Sequence, residues 1–336
     1  MLAMSHYDIY GIGNALVDSE YRVEDAELQA MNVEKGAMTL IDEERRAELL
    51  SQLGELPGHR ASGGSAANTM IAAAQMGSRC FYSCKVADDE LGQFYLKDLK
   101  ECDVDSNKNH SPSGAGATGT CLVLITPDAE RSMSTYLGAT SDLSKEELDL
   151  SALERSKFLY IEGYLAASPT GRQAIAVARE TAKAKGVKIA MTLSDVNMIR
   201  FCREGIDEML GDGVDLLFAN EEEARLMFDT EDLDQAMAKC KEVAQAFVIT
   251  CGKDGAYTWD GQELTKIDAV AVQALDTNGA GDMFAGAVLH GLTHEMNLEQ
   301  AAALACRCSG ELVKHFGPRL PMDVTRQVLA AFQASA

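Results

Sequence analysis

In the stretch DTNGAGDMFAGA (276–287), Asp282 directly follows Gly279-Ala280-Gly281 and leads an apolar helical run. A helix that starts near Gly279 leaves its first backbone N–H groups unpaired, and such a start holds anions. Gly279 and Gly281 keep the approach to those amides free of side chains. Asp282, in the first turn, would then meet a hydroxyl lying beside the anion. A carboxylate here also complements the helix dipole, by about 0.3–1 kcal/mol. That simpler role does not require Gly-Ala-Gly ahead of it.

Two other stretches carry residues with chemical use. In ASGGSAANTM (61–70), Gly63 and Gly64 precede a helix with Ser65 and Asn68 in its first turns. They read either as a turn with a helix cap, or as a place of close approach where Asn68 offers a donor and an acceptor to a hydroxylated ligand. In FANEEEARLMF (218–228), Asn220 and Glu223 have the spacing of a capping box. At the carboxyl end of a strand the same pair could hold the waters of a phosphate-bound Mg²⁺. Gly11-x-Gly13 lacks the third glycine and the clean helix of a dinucleotide fingerprint, and no phosphate loop with its lysine is present.

The elements that must position these residues alternate between strand and helix. Strands are expected from residue 7, at the start of MTLIDEERRAELLSQLG (38–54), in RCFYSCKV, KFLYIEGYL, VKIAMTLS, VDLLFAN and AFVITCG, with helices of ten or more residues between most of them. That rhythm predicts a mostly parallel sheet covered on both faces. ELPGHRASGG reads as a polar turn, MIRFCREGIDEMLG as part of one helix, and the tail as two helices, 280–291 and 297–317. The stretch 117–140 breaks the rhythm: two alternating runs flank Pro127-Asp128-Ala129-Glu130 and predict a hairpin in a small accessory sheet.

The chain has 336 residues, and its 52 acidic against 30 basic residues give a formal net charge of -22. Such a field repels polyanions, and no basic run of five or more residues counters it, which argues against a nucleic-acid polymer as partner. Nine dilute cysteines do not form a disulfide scaffold, and Cys306-x-Cys308 has no second pair with which to ligate a metal. No signal peptide or long apolar span is read, so a reduced, cytoplasmic protein with no membrane partner is expected.

On DTNGAGDMFAGA and GGSAANTMIAAAQMG, together with NEEE and VITCGKDGA in that order, the chain resembles the ribokinase/PfkB carbohydrate kinase superfamily. GNALVD (13–18), ATGTCLVLI (117–125), ERSMSTYLGA (130–139), IEGYLAASP and MTLSDVNMIRFC make it similar to the adenosine kinase branch within that superfamily. Ser65 and Ala66 replace the lysine and glycine of the ribokinase di-glycine form. The resemblance implies one domain over 1–336. This would be a three-layer α/β sandwich with a mostly parallel central sheet and a small β-sheet lid from about 15–40 and 115–138, hinged near Gly63 and Gly64.

The resemblance further implies phosphoryl transfer from ATP to a nucleoside 5′-hydroxyl, adenosine first. Asp282 would be the base, the amides of Gly279, Ala280 and Gly281 the anion hole, and Arg131 a lid residue meeting phosphate. Asp18, Gly64 and Asn68 would hold sugar hydroxyls, with Leu16, Leu137 and Tyr164 as walls for the base. Tyr164-Leu165 stands where relatives often carry paired phenylalanines. Thr250, Gly252 and Asn220 would lie at the ATP site, and Asn220 and Glu223 would organise Mg²⁺ through water. A monovalent cation as a further cofactor and a monomeric assembly, with a dimer as the alternative, belong to the same implied picture. A sugar, sugar-phosphate, inosine or guanosine kinase of the same fold is the alternative, and a silent nucleotide-binding protein a more distant one. An aspartate with an ordinary pKa near 3.9 would suffice only if its proton arrives late in the reaction.

Overall fold

Alternate residues of the same strands feed two different cores. Ile9, Phe158, Tyr160, Leu216, Phe218 and Val248 face one core. Tyr10, Ile12, Leu159, Ile161, Leu217 and Ile249 face the other. The period of two thus buries both faces of one sheet, and helices cover each. The structure, a computed structural model, describes residues 7–54, 59–107, 116–128 and 130–335. Residues 55–58 of the expected turn and Ala129 of the hairpin lie outside the described residues.

In chain order the strands are β1 (Tyr7–Ile12), β2 (Leu16–Arg22), β3 (Met38–Leu40), β4 (His59–Gly63), β5 (Cys80–Ser83), β6 (Val104–Ser106) and β7 (Thr120–Ile125). There follow β8 (Arg131–Tyr136), β9 (Ser156–Glu162), β10 (Lys188–Thr192), β11 (Val214–Asn220), β12 (Ala244–Thr250), β13 (Ala256–Trp259) and β14 (Leu264–Ile267). The large sheet has the order β14-β13-β12-β11-β10-β9-β1-β5-β6, and the small one β3-β8-β7-β2-β4. From β12 to β6 every pairing in the large sheet is parallel, and only β13, paired with β12 and with β14 at the edge, runs antiparallel. This is the three-layer α/β sandwich with a smaller mixed sheet that the alternation and the resemblance imply.

The small sheet has an outer and an inner face. Tyr21, Leu122 and Leu124 pack outward on Leu28 and Leu49 of the helices Asp25–Ala30 and Glu43–Leu53. Leu16, Asp18, Cys121, Val123 and Met133 face inward over a cavity at the carboxyl ends of the large sheet's strands. β7 and β8 form the expected hairpin.

Four sequence readings need correction. His59–Gly63 is not turn but strand β4, antiparallel to β2; with one aliphatic side chain it has little strand signal, and pairing to β2 supplies what its composition lacks. The helix expected through MIRFCREGIDEMLG breaks at Cys202 into Val196–Phe201 and Arg203–Leu210, because Cys202 takes φ -130°, outside the helical range. The tail has a third helix, Met322–Ser335, whose Leu329 and Phe332 join the core. The KFLYIEGYL strand also ends at Glu162, and Tyr164 lies in a 3-10 turn, Gly163–Ala167.

Small residues set the approach of the two helices that matter most. A Cβ on Gly286 would come within 2.7 Å of Thr69 O and 2.8 Å of Ala72 Cβ. Helix Ala280–Thr293 can therefore lie close against helix Ser65–Gln75 only because its facing position is glycine. That contact brings together the N-terminal turns of both helices.

Candidate active site

A cavity of about 670 Å³ opens where those turns meet the strand ends and the small sheet. Carboxyl ends of β1, β9, β10, β11 and β12 deliver Asn14, Glu162, Thr192, Asn220 and Thr250 to it, the usual place for a ligand in an open α/β sheet. Leu16, Asp18, Gly64, Asn68, Leu137, Tyr164, Glu223, Gly279, Ala280, Gly281 and Asp282 line it as well.

Gly279 caps the helix Ala280–Thr293 at φ 73°, a left-handed conformation that favours glycine. It also lies so close to Pro318 that a Cβ would sit 2.5 Å from Pro318 O. Gly281 differs, since a Cβ there would meet nothing within 4 Å. No packing requires that glycine, whereas an anion seated on the helix start would. Of the three expected amides, the Ala280 N–H already donates to Thr277 O at 3.2 Å.

Asp282 sits half-buried at the cavity floor. Ser65 Oγ donates to its Oδ1 at 2.6 Å, and Asn68 Nδ2 donates to Oδ2 at 3.2 Å. Burial pushes its carboxyl up to about 6, against the opposing pull of the Ser65 and Asn68 bonds and the Arg319 charge. The ordinary value near 3.9 expected from sequence is therefore replaced by a stronger base, closer to neutral pH. Asp18, on the inner face of β2, is also driven up, to about 7, first by burial, with Arg319 opposing and Glu20 and Asp282 adding to the rise.

The glycines before helix Ser65–Gln75 are required by close contacts. A Cβ on Gly63 would lie 2.3 Å from the Asp18 carboxyl carbon. Gly64 has φ 97°, and a Cβ there would lie 2.2 Å from Asn14 O. Beside them Glu162 is buried, its Oε1 accepting from Asn14 N and Nδ2 and its Oε2 from Ala66 N at 2.8 Å. It ties the end of β9 to the glycine turn.

Asn220 and Glu223 form the full capping box: Glu223 N donates to Asn220 Oδ1 at 2.8 Å, and Asn220 N to Glu223 Oε2 at 3.0 Å. Both nonetheless line the cavity. Burial pushes the Glu223 carboxyl up to about 7. Each of its oxygens accepts one bond from Asn220, which leaves lone pairs for a metal-bound water. Among the described residues no cluster of three or more His, Cys, Asp and Glu is disposed to hold a metal.

Arg131 and Gly252 are absent from the cavity lining. The Arg131 side chain is buried between Glu20 at 3.1 Å and Asp276 at 2.9 Å, tying the small sheet to the turn before Gly279. Among the residues that the sequence reading did not assign, Ser65 and Glu162 line the cavity and Arg319 bonds to Asn68 beside it. Ser65 was visible as a first-turn residue, and Glu162 ends a clear strand. Arg319, between two prolines in the tail, carried no local signal.

A three-layer α/β fold, a smaller mixed sheet over the cavity and a carboxylate beside a glycine-capped helix start are the arrangement expected of a phosphotransferase of small hydroxylated molecules. The family model described as pfkB family carbohydrate kinase matches residues 44–325, and the chain belongs to that family. It is an ATP-dependent kinase acting on a small-molecule hydroxyl, and ATP with Mg²⁺ is the family's expectation. Adenosine kinase 2 of Arabidopsis thaliana is 26% identical over 346 aligned positions, covering 96% of this chain and 98% of its own. 5-Dehydro-2-deoxygluconokinase of Bacillus thuringiensis (strain Al Hakam) is 27% identical over 290, covering 82% and 86%. Among solved structures, adenosine kinase from Sinorhizobium meliloti superposes with a TM-score of 0.87 at 36% identity, covering 98% of this chain and 99% of its own. A "probable sugar kinase protein" from Rhizobium etli CFN 42 superposes with 0.88 at 35% identity, covering 99% of each. No helix among the described residues is long and apolar enough to cross a membrane.

Proposed function

We propose that the acceptor is a nucleoside, adenosine first, and that its 5′-hydroxyl receives the γ-phosphoryl group of ATP. The carrying observation is the character of the cavity. Leu16, Met38, Leu40, Val123, Met133 and Leu137 give it a broad apolar wall, and among the described residues lining it there is no Lys, Arg or His. A flat, neutral base gains by covering that wall, whereas a phosphorylated sugar would bring a second anion to a site rich in carboxylates with no cation in its lining. Tyr164 lies on the same cavity and adds a ring toward the acceptor.

Asp282 takes the hydroxyl proton as the oxygen attacks, helped by its raised pKa. Amides at the helix start receive the transferring phosphoryl group, and Mg²⁺ held through Asn220 and Glu223 would neutralise charge on the donor phosphates. Asp18 and Asn68 hold sugar hydroxyls, and the small sheet closes over the acceptor to exclude water. A free sugar is the second reading, favoured by the polar set Asp18, Asn68 and Asp282 without reference to the apolar wall. Phosphorylated product is to be followed with ATP, Mg²⁺ and, in turn, adenosine, inosine, guanosine, cytidine, ribose and fructose 6-phosphate. Adenosine is expected to give the highest kcat/KM; a ribose or fructose 6-phosphate preference would overturn the nucleoside assignment.

A further inference from the structure

The loop between helices Leu298–Leu312 and Met322–Ser335 is tied down residue by residue. Gly317 N donates to Asp276 Oδ2 at 2.8 Å, Pro318 packs on Gly279, and Leu320 O accepts from Gln75 Nε2 at 3.0 Å. Arg319, in the middle, turns inward with its side chain only 15% exposed. Its Nε donates to Asn68 Oδ1 at 3.0 Å, its Nη1 to Asp98 Oδ2 at 3.2 Å and its Nη2 to Ser62 Oγ at 3.1 Å. Asp98 also accepts from Ser62 N at 2.8 Å and Ser62 Oγ at 2.5 Å, so the anchors of the guanidinium are themselves fixed.

A guanidinium has donors and no acceptor. Asn68 must therefore present Oδ1 to Arg319, which leaves Nδ2 as the group that faces Asp282 at 3.2 Å. Turning the amide over would set NH₂ against the guanidinium and oxygen against a carboxylate, losing both bonds at once.

We propose that Arg319 is a positioning residue for phosphoryl transfer, fixing the Asn68 amide so that its nitrogen faces Asp282 and offers its remaining N–H to an acceptor hydroxyl. The inference rests on the reading of Asp282 as the base. A hydroxyl that accepts from Asn68 must give its own proton to a carboxylate, and Asp18 lines the same cavity. The site therefore reads a hydroxyl as acceptor at one neighbour and donor at another. Arg319 also acts through its charge. The Asp282 carboxylate faces Asp18 from β2 and Glu162 from β9, both of which couple to it unfavourably, and Arg319 is the cation opposing them.

The test is the pH dependence of kcat with the acceptor that the parent turns over fastest, alongside a thermal melt. Arg319→Met is expected to lower kcat about tenfold or more, to leave KM for ATP within about twofold, and to move the acidic limb to higher pH. Arg319→Lys keeps the charge but cannot span three partners. Its kcat is expected to fall while its acidic limb stays near the parent's. A merely structural arginine would change the melt and leave the limb in place. A folded Arg319→Met protein with the parent's kcat and acidic limb overturns the proposal. Should that variant not fold, Arg319→Lys decides, and a parental kcat there overturns it. A parent that phosphorylates none of the acceptors overturns the reading of Asp282 first and this proposal with it, an outcome distinct from the other two.

Discussion

Ser65 Oγ donates to Asp282 Oδ1 at 2.6 Å, across 217 residues of sequence and between the N-terminal turns of two helices. The bond opposes the effect of burial on that carboxyl, so it holds Asp282 ionised at a lower pH than burial alone allows. Ser65→Ala should move the acidic limb of kcat to higher pH. Hydrogen bonds to charged groups are worth about 1.5–3 kcal/mol. The lower end applies to a half-buried group, so about a sixfold loss is expected near pH 6, approaching tenfold at lower pH. An unshifted limb would mean that Ser65 serves only as a helix residue.

Asp282 itself should carry most of the turnover. Asp282→Asn keeps shape and removes the proton acceptor, and a positioned base is worth roughly 10²–10⁴-fold. ATP binding, measured by calorimetry, should stay within a few fold because the helix-start amides remain. In the parent, activity should rise as pH passes through about 6, where the carboxyl ionises, and level off above. A variant with near-parental kcat would remove Asp282 from the reaction.

The glycine turn offers a separable test of geometry. Gly64→Ala places a Cβ 2.2 Å from Asn14 O at a φ of 97°, so backbone must move. Strain at such a position costs about 1–3 kcal/mol before the clash is counted. A lower melting temperature and a raised KM for the acceptor are expected, with KM for ATP less affected. A variant matching the parent in both would show that the turn relaxes freely.

Much of this site was legible because its parts lie in short stretches. The Asp282 helix start and the Asn220–Glu223 box each span a few residues, and local spacing is enough to read them. The large sheet was legible for a similar reason, as its strands are apolar on both faces. Strand β4 was not, since HRASG pairs with β2 despite its polarity. Arg319 was not either, because its meaning comes from Asn68, 251 positions away. The Asn220–Glu223 stretch shows a further limit: it forms the cap and also lines the cavity, so the two readings that spacing left open do not exclude each other.

Asp18 trades stability for its place in the cavity. Its folded pKa, about 7, lies above the ordinary carboxylate value of an unfolded chain. The folded protein therefore binds this proton more tightly than the unfolded one. The resulting stabilisation is full below about pH 4 and is lost as pH rises through 7. Asp18→Asn removes the charge without changing shape. It should melt higher than the parent at pH 8, by roughly 1–2 kcal/mol once water in the open cavity is allowed for, with little difference near pH 4. The same variant should bind the acceptor more weakly. A melting difference that does not grow with pH would show that Asp18 is ionised without penalty.

Glu223 is the position where cap and metal roles can be pulled apart. Glutamine occurs as readily as glutamate at the third position of a capping box, so Glu223→Gln can still accept from Asn220 N, but it loses the bond from Asn220 Nδ2 and should cost about 1 kcal/mol of stability. It removes the negative charge that would orient a metal-bound water. Half-maximal activity should then require several-fold more Mg²⁺, with the melting temperature lowered only modestly. Asn220→Ala should do the reverse in part, losing about 1 kcal/mol of helix capping along with any metal effect. Titrating Mg²⁺ at saturating ATP for both variants distinguishes the contributions. An unchanged Mg²⁺ requirement in Glu223→Gln would leave the pair as a helix cap that happens to border the cavity.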